Sequence, residues 1–171
     1  MLRNAAEYLE RSAARVPDKI AFSDASGAVS YSRMLHDAQA LGTVLAAVPG
    51  CCNAPVAVMI GRTVKSLIAM QGILQSGNYY VPLDEQMPEA RMRRILDQVH
   101  ARAIVCTEQS RAAAEKLADC APLISLDEAV THAPDPALLH ARREEILDID
   151  PVYVLFTSGS TGAPKGIVIS H

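Results

Sequence analysis

Short, unbroken apolar runs recur along this chain and alternate with segments of helical periodicity. "VAVMI" (56–60), "YYVPL" (79–83), "AIVC" (103–106) and "VYVLF" (152–156) do not alternate polar with apolar residues, which is the mark of strands buried on both faces. Between them, "VKSLIAMQGILQS" reads as a helix that Gly77 stops. Pro88 starts another helix, with Met92, Ile95, Leu96 and Val99 on one face. "SRAAAEKLA" is helical from a Ser110 cap and leads into the strand-like "PLISL". Strands joined through such helices require βαβ crossovers, so the expected fold class is α/β, a mainly parallel sheet flanked by helices.

The flanks are less regular. Leu2, Ala6, Leu9, Ala13 and Val16 predict an amphipathic helix over 2–15, halted before Pro17. "KIAFSD" and "AVSY" surround the turn Ala25-Ser26-Gly27 and predict a hairpin. Ser32 is the expected cap of a helix that turns Leu35, Ala38, Leu41 and Leu45 inward and ends at Pro49-Gly50. Residues 127–150, rich in Pro, His and charge, read as a connecting segment with one helix from Pro136. At 171 residues the chain supports one core. The expected organisation is an α/β body over 1–126, a connection over 127–150, and a strand, loop and strand over 151–171.

Composition removes several classes of function. The net charge is −3 and Lys and Arg are spread along the chain, so no nucleic-acid footprint is expected. No run approaches the ~18 apolar residues of a membrane span. The N-terminus lacks a signal-peptide core, and Glu7, Glu10 and Asp18 argue against a transit peptide. Cys51, Cys52, Cys106 and Cys120 show neither CxxC nor metal-finger spacing, so no metal ligand is assigned. Reduced thiols and a cytoplasmic location follow as the simplest expectation. His36, His100, His132 and His140 have no triad or metal spacing and are expected to face solvent; His171 is given no role.

The chemistry-bearing stretch is "TSGSTGAPKG" (157–166), directly after the last strong strand run. Gly159, Gly162 and Gly166 free the backbone to present successive N–H groups, a nest that suits phosphate. Thr157, Ser158, Ser160 and Thr161 add hydroxyls, and Lys165 adds a point charge. A plain surface turn is the bland alternative, but simple turns use two to five residues. A P-loop of nucleotide triphosphatases is disfavoured: Pro164 stands where its second glycine must be, Gly166 where its Mg²⁺-binding hydroxyl must be, and "GIVIS" continues as a strand.

"VYVLFTSGSTGAPKG" resembles the third core motif of the adenylate-forming superfamily, with Phe156 where Tyr is more usual. "LQSGNYYVPLD" (74–84) resembles the second core motif of peptide-synthetase adenylation domains, with Gln75, Ser76 and Tyr79 departing from the common Lys, Ala and Ala. "VSYSRM" (29–34) resembles the first, with Arg33 where Glu is typical. Tyr31, Met34, Gly77 and Pro82-Leu83-Asp84 are read as packing and turn residues, so the third motif alone is a direct site.

The resemblance implies ATP and Mg²⁺ as cofactors, an amino acid as the carboxylate substrate, and a peptidyl carrier protein thiol as acceptor. It assigns Thr157, Ser158, Gly159, Ser160, Thr161, Gly162, Lys165 and Gly166 to the phosphates. The family's substrate pocket, adenine segment, Mg²⁺-binding Glu and catalytic Lys lie beyond its third motif. The chain is therefore expected to be the N-terminal portion of one adenylation domain, inactive alone, with no catalytic residue of its own. It is also expected to expose apolar surface where the remainder would pack. An acyl-CoA synthetase fragment and a small phosphate- or partner-binding protein remain the alternative readings.

Overall fold

The computed structural model describes residues 4–158 and 164–171. Two helices flank a hairpin at the start: α1 (Ala6–Arg15), β1 (Ile20–Asp24), β2 (Gly27–Ser30) and α2 (Tyr31–Ala46). The alternating body follows as β3 (Pro55–Ile60), α3 (Val64–Gln75), β4 (Tyr79–Asp84), α4 (Glu89–Val99), β5 (Ala103–Cys106), α5 (Arg111–Glu115) and β6 (Leu123–Ser125). Two further helices, α6 (Leu126–Ala129) and α7 (Pro136–Glu144), precede β7 (Pro151–Ser158) and β8 (Pro164–Ser170).

The sheet order is β6-β5-β3-β4-β7-β8. The first five strands are parallel, and β8 returns antiparallel along β7. The α/β expectation therefore holds. The continuous apolar runs are explained by two cores, one on each face. Val56, Val58, Ala103 and Val105 meet Leu41, Leu45, Ile68 and Ile73 of α2 and α3. Ala57, Met59, Val81, Leu83 and Ile104 meet Met92, Ile95 and Leu96 of α4 and Leu117 beyond α5. Strand residues of both parities lose water, so neither face can be polar.

Several local expectations are corrected. The cap of α2 is Ser30, whose hydroxyl accepts from the Arg33 N–H at 3.3 Å, while Ser32 lies inside the helix. Pro88 stands just before α4 rather than in its first turn. Helix α5 is one short turn, because the Ser110 hydroxyl accepts from the Thr107 N–H and does not cap it. The 127–150 stretch carries most of α6 in addition to α7.

In the first two motifs Tyr31, Met34 and Gly77 pack and turn the chain as read, whereas Pro82 and Leu83, read as turn residues, are strand residues of β4. Met34 is buried and Tyr31 packs against the core. Gly77, at φ +74°, ends α3 in a conformation that a side chain would strain. Asn78 then anchors the turn: its amide donates to Cys51 O and Ser76 Oγ, and its oxygen accepts from Ala54 N–H. Pro82 and Leu83 lie within β4, and Asp84 closes it by accepting from the Gln86 N–H.

The four cysteines are free thiols, and burial pushes Cys51 up to about 11. Among the described residues no helix is long and apolar enough to cross a membrane. Leu155, Ile167, Val168 and Ile169 are exposed on β7 and β8, which matches the expected apolar surface.

Candidate functional site

The carboxyl ends of the parallel strands are where open α/β sheets collect ligands. Part of that end is closed by this chain's own charges. The Lys65 ammonium, at the start of α3, pairs with Asp127 Oδ1 beside β6. Asp127 Oδ2 accepts from the Glu108 N–H beyond β5, and Arg111 joins Glu108 to Glu128. These contacts bridge the ends of β3, β5 and β6, at the crevice where the strand order reverses.

The other part lies at the β7–β8 end. Tyr153 pairs in register with Tyr80 of β4, and their rings stack with centroids 5.4 Å apart. Val152 and Val154 are buried, and Phe156 packs with Val154 against the α4-side core. The strand is thus gripped along its length before it reaches Thr157 and Ser158 at the ligand end of the sheet.

Of the expected phosphate contacts, Thr157 and Lys165 are brought together as a cross-strand pair, both exposed. Ser158 pairs in register with Pro164. Gly159, Ser160, Thr161 and Gly162 lie outside the described residues. Gly166 is a β8 residue opposite Phe156, and a Cβ there would come within 3.1 Å of Phe156 Cζ. Its missing side chain makes room for the ring. The Lys165 ammonium donates only and the Thr157 hydroxyl can turn its O–H the same way, so the exposed pair is chemically suited to an oxyanion.

The start of α3 itself is already occupied. Thr63 caps α3 by accepting from the Ser66 N–H, and Asp24 Oδ2 accepts from the Val64 N–H at 2.7 Å. The Ser26 hydroxyl, then the Val64 and Ser26 N–H groups, hold the Asp24 carboxyl down at about 2. Asp24 fastens the β1–β2 hairpin to α3 and occupies the helix start that an outside anion would otherwise use.

Two features escaped the sequence reading. Arg143 of α7 is buried and donates to Gln75 O and Oε1 and to Glu10 Oε1, joining α7, α3 and α1. His171 Nδ1 accepts from the Ala5 N–H at 2.9 Å, which ties the end of β8 to the start of α1. Neither has a local pattern, because each partner is more than 60 residues away. His36, His100, His132 and His140 are exposed, as expected.

The geometry agrees with known proteins. The sequence matches the family described as AMP-binding enzyme over residues 9–171. It is 37% identical over 167 residues to pyochelin synthetase PchF of Pseudomonas aeruginosa, covering 98% of this chain and 9% of that protein. Among solved structures, a benzoate CoA ligase from Burkholderia xenovorans is similar with a TM-score of 0.84 at 21% identity, over 99% of this chain and 35% of that one. The nonribosomal peptide synthetase FmoA3, in its α-methyl-L-serine-AMP-bound form, is similar at 0.77 and 24%, over 97% and 18%. This chain spans a small part of the curated relatives that it matches, and its fold is that of the N-terminal region of adenylating enzymes. It belongs to the AMP-binding enzyme family.

Proposed function

We propose that this chain is the N-terminal part of an amino-acid-activating adenylation domain, and that residues 157–166 grip the β- and γ-phosphates of ATP. The observation that carries the reading is the exposed Thr157–Lys165 pair at the ligand end of a mainly parallel sheet, bracketing a glycine- and hydroxyl-rich stretch. The 37% identity to a pyochelin synthetase supports the amino-acid branch over the acyl-CoA branch.

In the proposed reaction a carboxylate oxygen attacks the α-phosphorus of ATP. The bond from that phosphorus to its bridging oxygen breaks, and pyrophosphate leaves with the electron pair. A carrier-protein thiolate then attacks the acyl carbon and AMP departs. Charge develops on the leaving phosphates, so donors fixed there lower the barrier. Lys165 supplies a full positive charge, Thr157 and Ser158 supply O–H donors, and Gly159, Ser160, Thr161 and Gly162 complete the cradle, while Gly166 serves the packing of Phe156. Mg²⁺, when present, supplies further neutralisation through the phosphate oxygens. Among the described residues no three His, Cys, Asp or Glu converge on one point, so no ligand from this chain is assigned to it.

Titration calorimetry with inorganic pyrophosphate tests the reading. Binding by the native chain that weakens roughly tenfold in Lys165→Ala is expected for one charge-assisted contact. Equal signals from the two proteins would refute it.

A further inference from the structure

We propose that the groove between α1 and α7 receives an amphipathic helix edged with lysine or arginine, presented by a partner polypeptide. The inference is independent of the phosphate reading, since no residue of 157–166 takes part.

Helices α1 and α7 both pack on α2, and Arg143 of α7 reaches Gln75 of α3. A groove of about 940 Å³ is left between them. A helix ~10 Å across and two turns long fills roughly 850 Å³, so the space takes one such helix. Each wall is a helical stripe: Glu7, Glu10, Arg11 and Ala14 from α1, and His140, Arg143 and Glu144 from α7. Residues three and four apart share a face, so both helices line the gap along their length.

Charge says which helix. Among the described residues the walls bear four carboxylates, Glu7, Glu10, Glu144 and Asp148, against two guanidiniums. Arg143 is buried and already spent, on Gln75 and on Glu10 at 2.6 Å. His140 Nε2 reaches Glu144 Oε1 at 3.4 Å, a pairing that needs a protonated ring. Asp148 is exposed, with no ion pair among the described residues. The groove therefore favours cations from outside.

The same walls hold an apolar strip. Ala14, Ile146 and Leu147 line the groove, and Leu147 is 57% exposed. A leucine flanked by carboxylates suits an apolar helix face bordered by basic side chains, the helix-in-groove mode. A bare polyamine would leave Leu147 wet. A metal ion is not favoured, because among the described residues no three His, Cys, Asp or Glu converge on one point.

The test is fluorescence anisotropy of a labelled, capped, Ala-rich peptide of about 16 residues with Leu and Lys along one helical face. It is titrated with the 171-residue chain and with D148K, L147S and E115K, thermal midpoints being measured in parallel. The three altered side chains are exposed, so unchanged midpoints are expected. D148K is expected to weaken the peptide roughly fivefold. L147S is expected to weaken it several-fold through lost apolar contact. E115K makes the same charge change on α5, which packs on the other face of the sheet, and should bind as the native chain does. No binding, equal binding by the native chain and D148K, or equal losses in D148K and E115K overturns the inference. So does binding that falls in D148K but not in L147S and is matched by spermine, the pattern of a polyamine site.

Discussion

Tyr80 and Tyr153 stack across the register point that joins β4 to β7, with their ring planes 25° apart. This contact attaches the loop-bearing ribbon to the parallel body of the sheet. Tyr153→Ala is expected to destabilise the chain by about 2 kcal/mol, since both burial and ring stacking are lost. Tyr153→Phe should lie within about 0.5 kcal/mol of the native protein. Urea unfolding of the three proteins checks this.

Arg143 is the second test. Arg143 is buried while its partner Glu10 is partly exposed, so Arg143→Ala, which strands the buried Gln75 oxygen, is expected to cost about 1–3 kcal/mol. Gln75 would then lose its main polar partner inside the protein. The double variant Arg143→Met, Gln75→Leu should recover the part of the loss that comes from Gln75, because an apolar pair needs no partner, while Glu10 is left to solvent. A double-mutant cycle in urea measures the recovery.

His171 provides a pH dependence. Its Nδ1 accepts a hydrogen bond, so the ring must be unprotonated there. Burial lowers its pKa from 6.5, and Asp150 opposes the shift. With the folded value below the unfolded one, the unfolded chain binds more protons in between, and stability rises with pH across that window. The contribution is complete above pH 6.5 and is lost as pH falls below it. Thermal midpoints of the native chain and His171→Gln should therefore differ most above pH 6.5 and draw together as pH falls below it.

Gly166 tests the packing of the ribbon. A Cβ would approach Phe156 Cζ to 3.1 Å and Val154 Cγ1 to 3.2 Å. Gly166→Val is expected to cost about 1–3 kcal/mol through overpacking. Phe156→Ala in the same chain should relieve part of that cost. Thermal unfolding of the single and double variants decides it.

How much of this was legible depends on whether the determining contacts are local. Strand runs such as Val56–Ile60 announced themselves, because burial on both faces leaves no room for polar residues. The candidate site drew notice by composition: three glycines and four hydroxyls read as a loop. The strands nevertheless extend into that stretch, since Thr157 and Ser158 end β7 and Pro164, Lys165 and Gly166 begin β8. The order β6-β5-β3-β4-β7-β8 had no such signal, since pairing partners lie far apart in the chain. Caps were intermediate: Ser30 and Ser32 are chemically alike, and backbone geometry two residues away chose between them. Arg143 read as one charge in a charged segment, and its burial is set wholly by α1 and α3 arriving around it.

Strand β8 has a consequence for the protein as a colloid. It carries Ile167, Val168 and Ile169 exposed, and its outer edge has no partner strand among the described residues. An unshielded apolar edge is a template for any other extended chain. Lys165 stands at one end of that edge and no further charge interrupts it before His171. Tyr8, Ile20, Phe22, Leu147 and Ile149 are also exposed, but β8 joins its apolar side chains to an unpaired backbone edge, while the net charge of −3 supplies weak repulsion. Shelf life in concentrated solution should be governed by that edge, and one lysine placed at Val168 would lengthen it more than any change to the two cores.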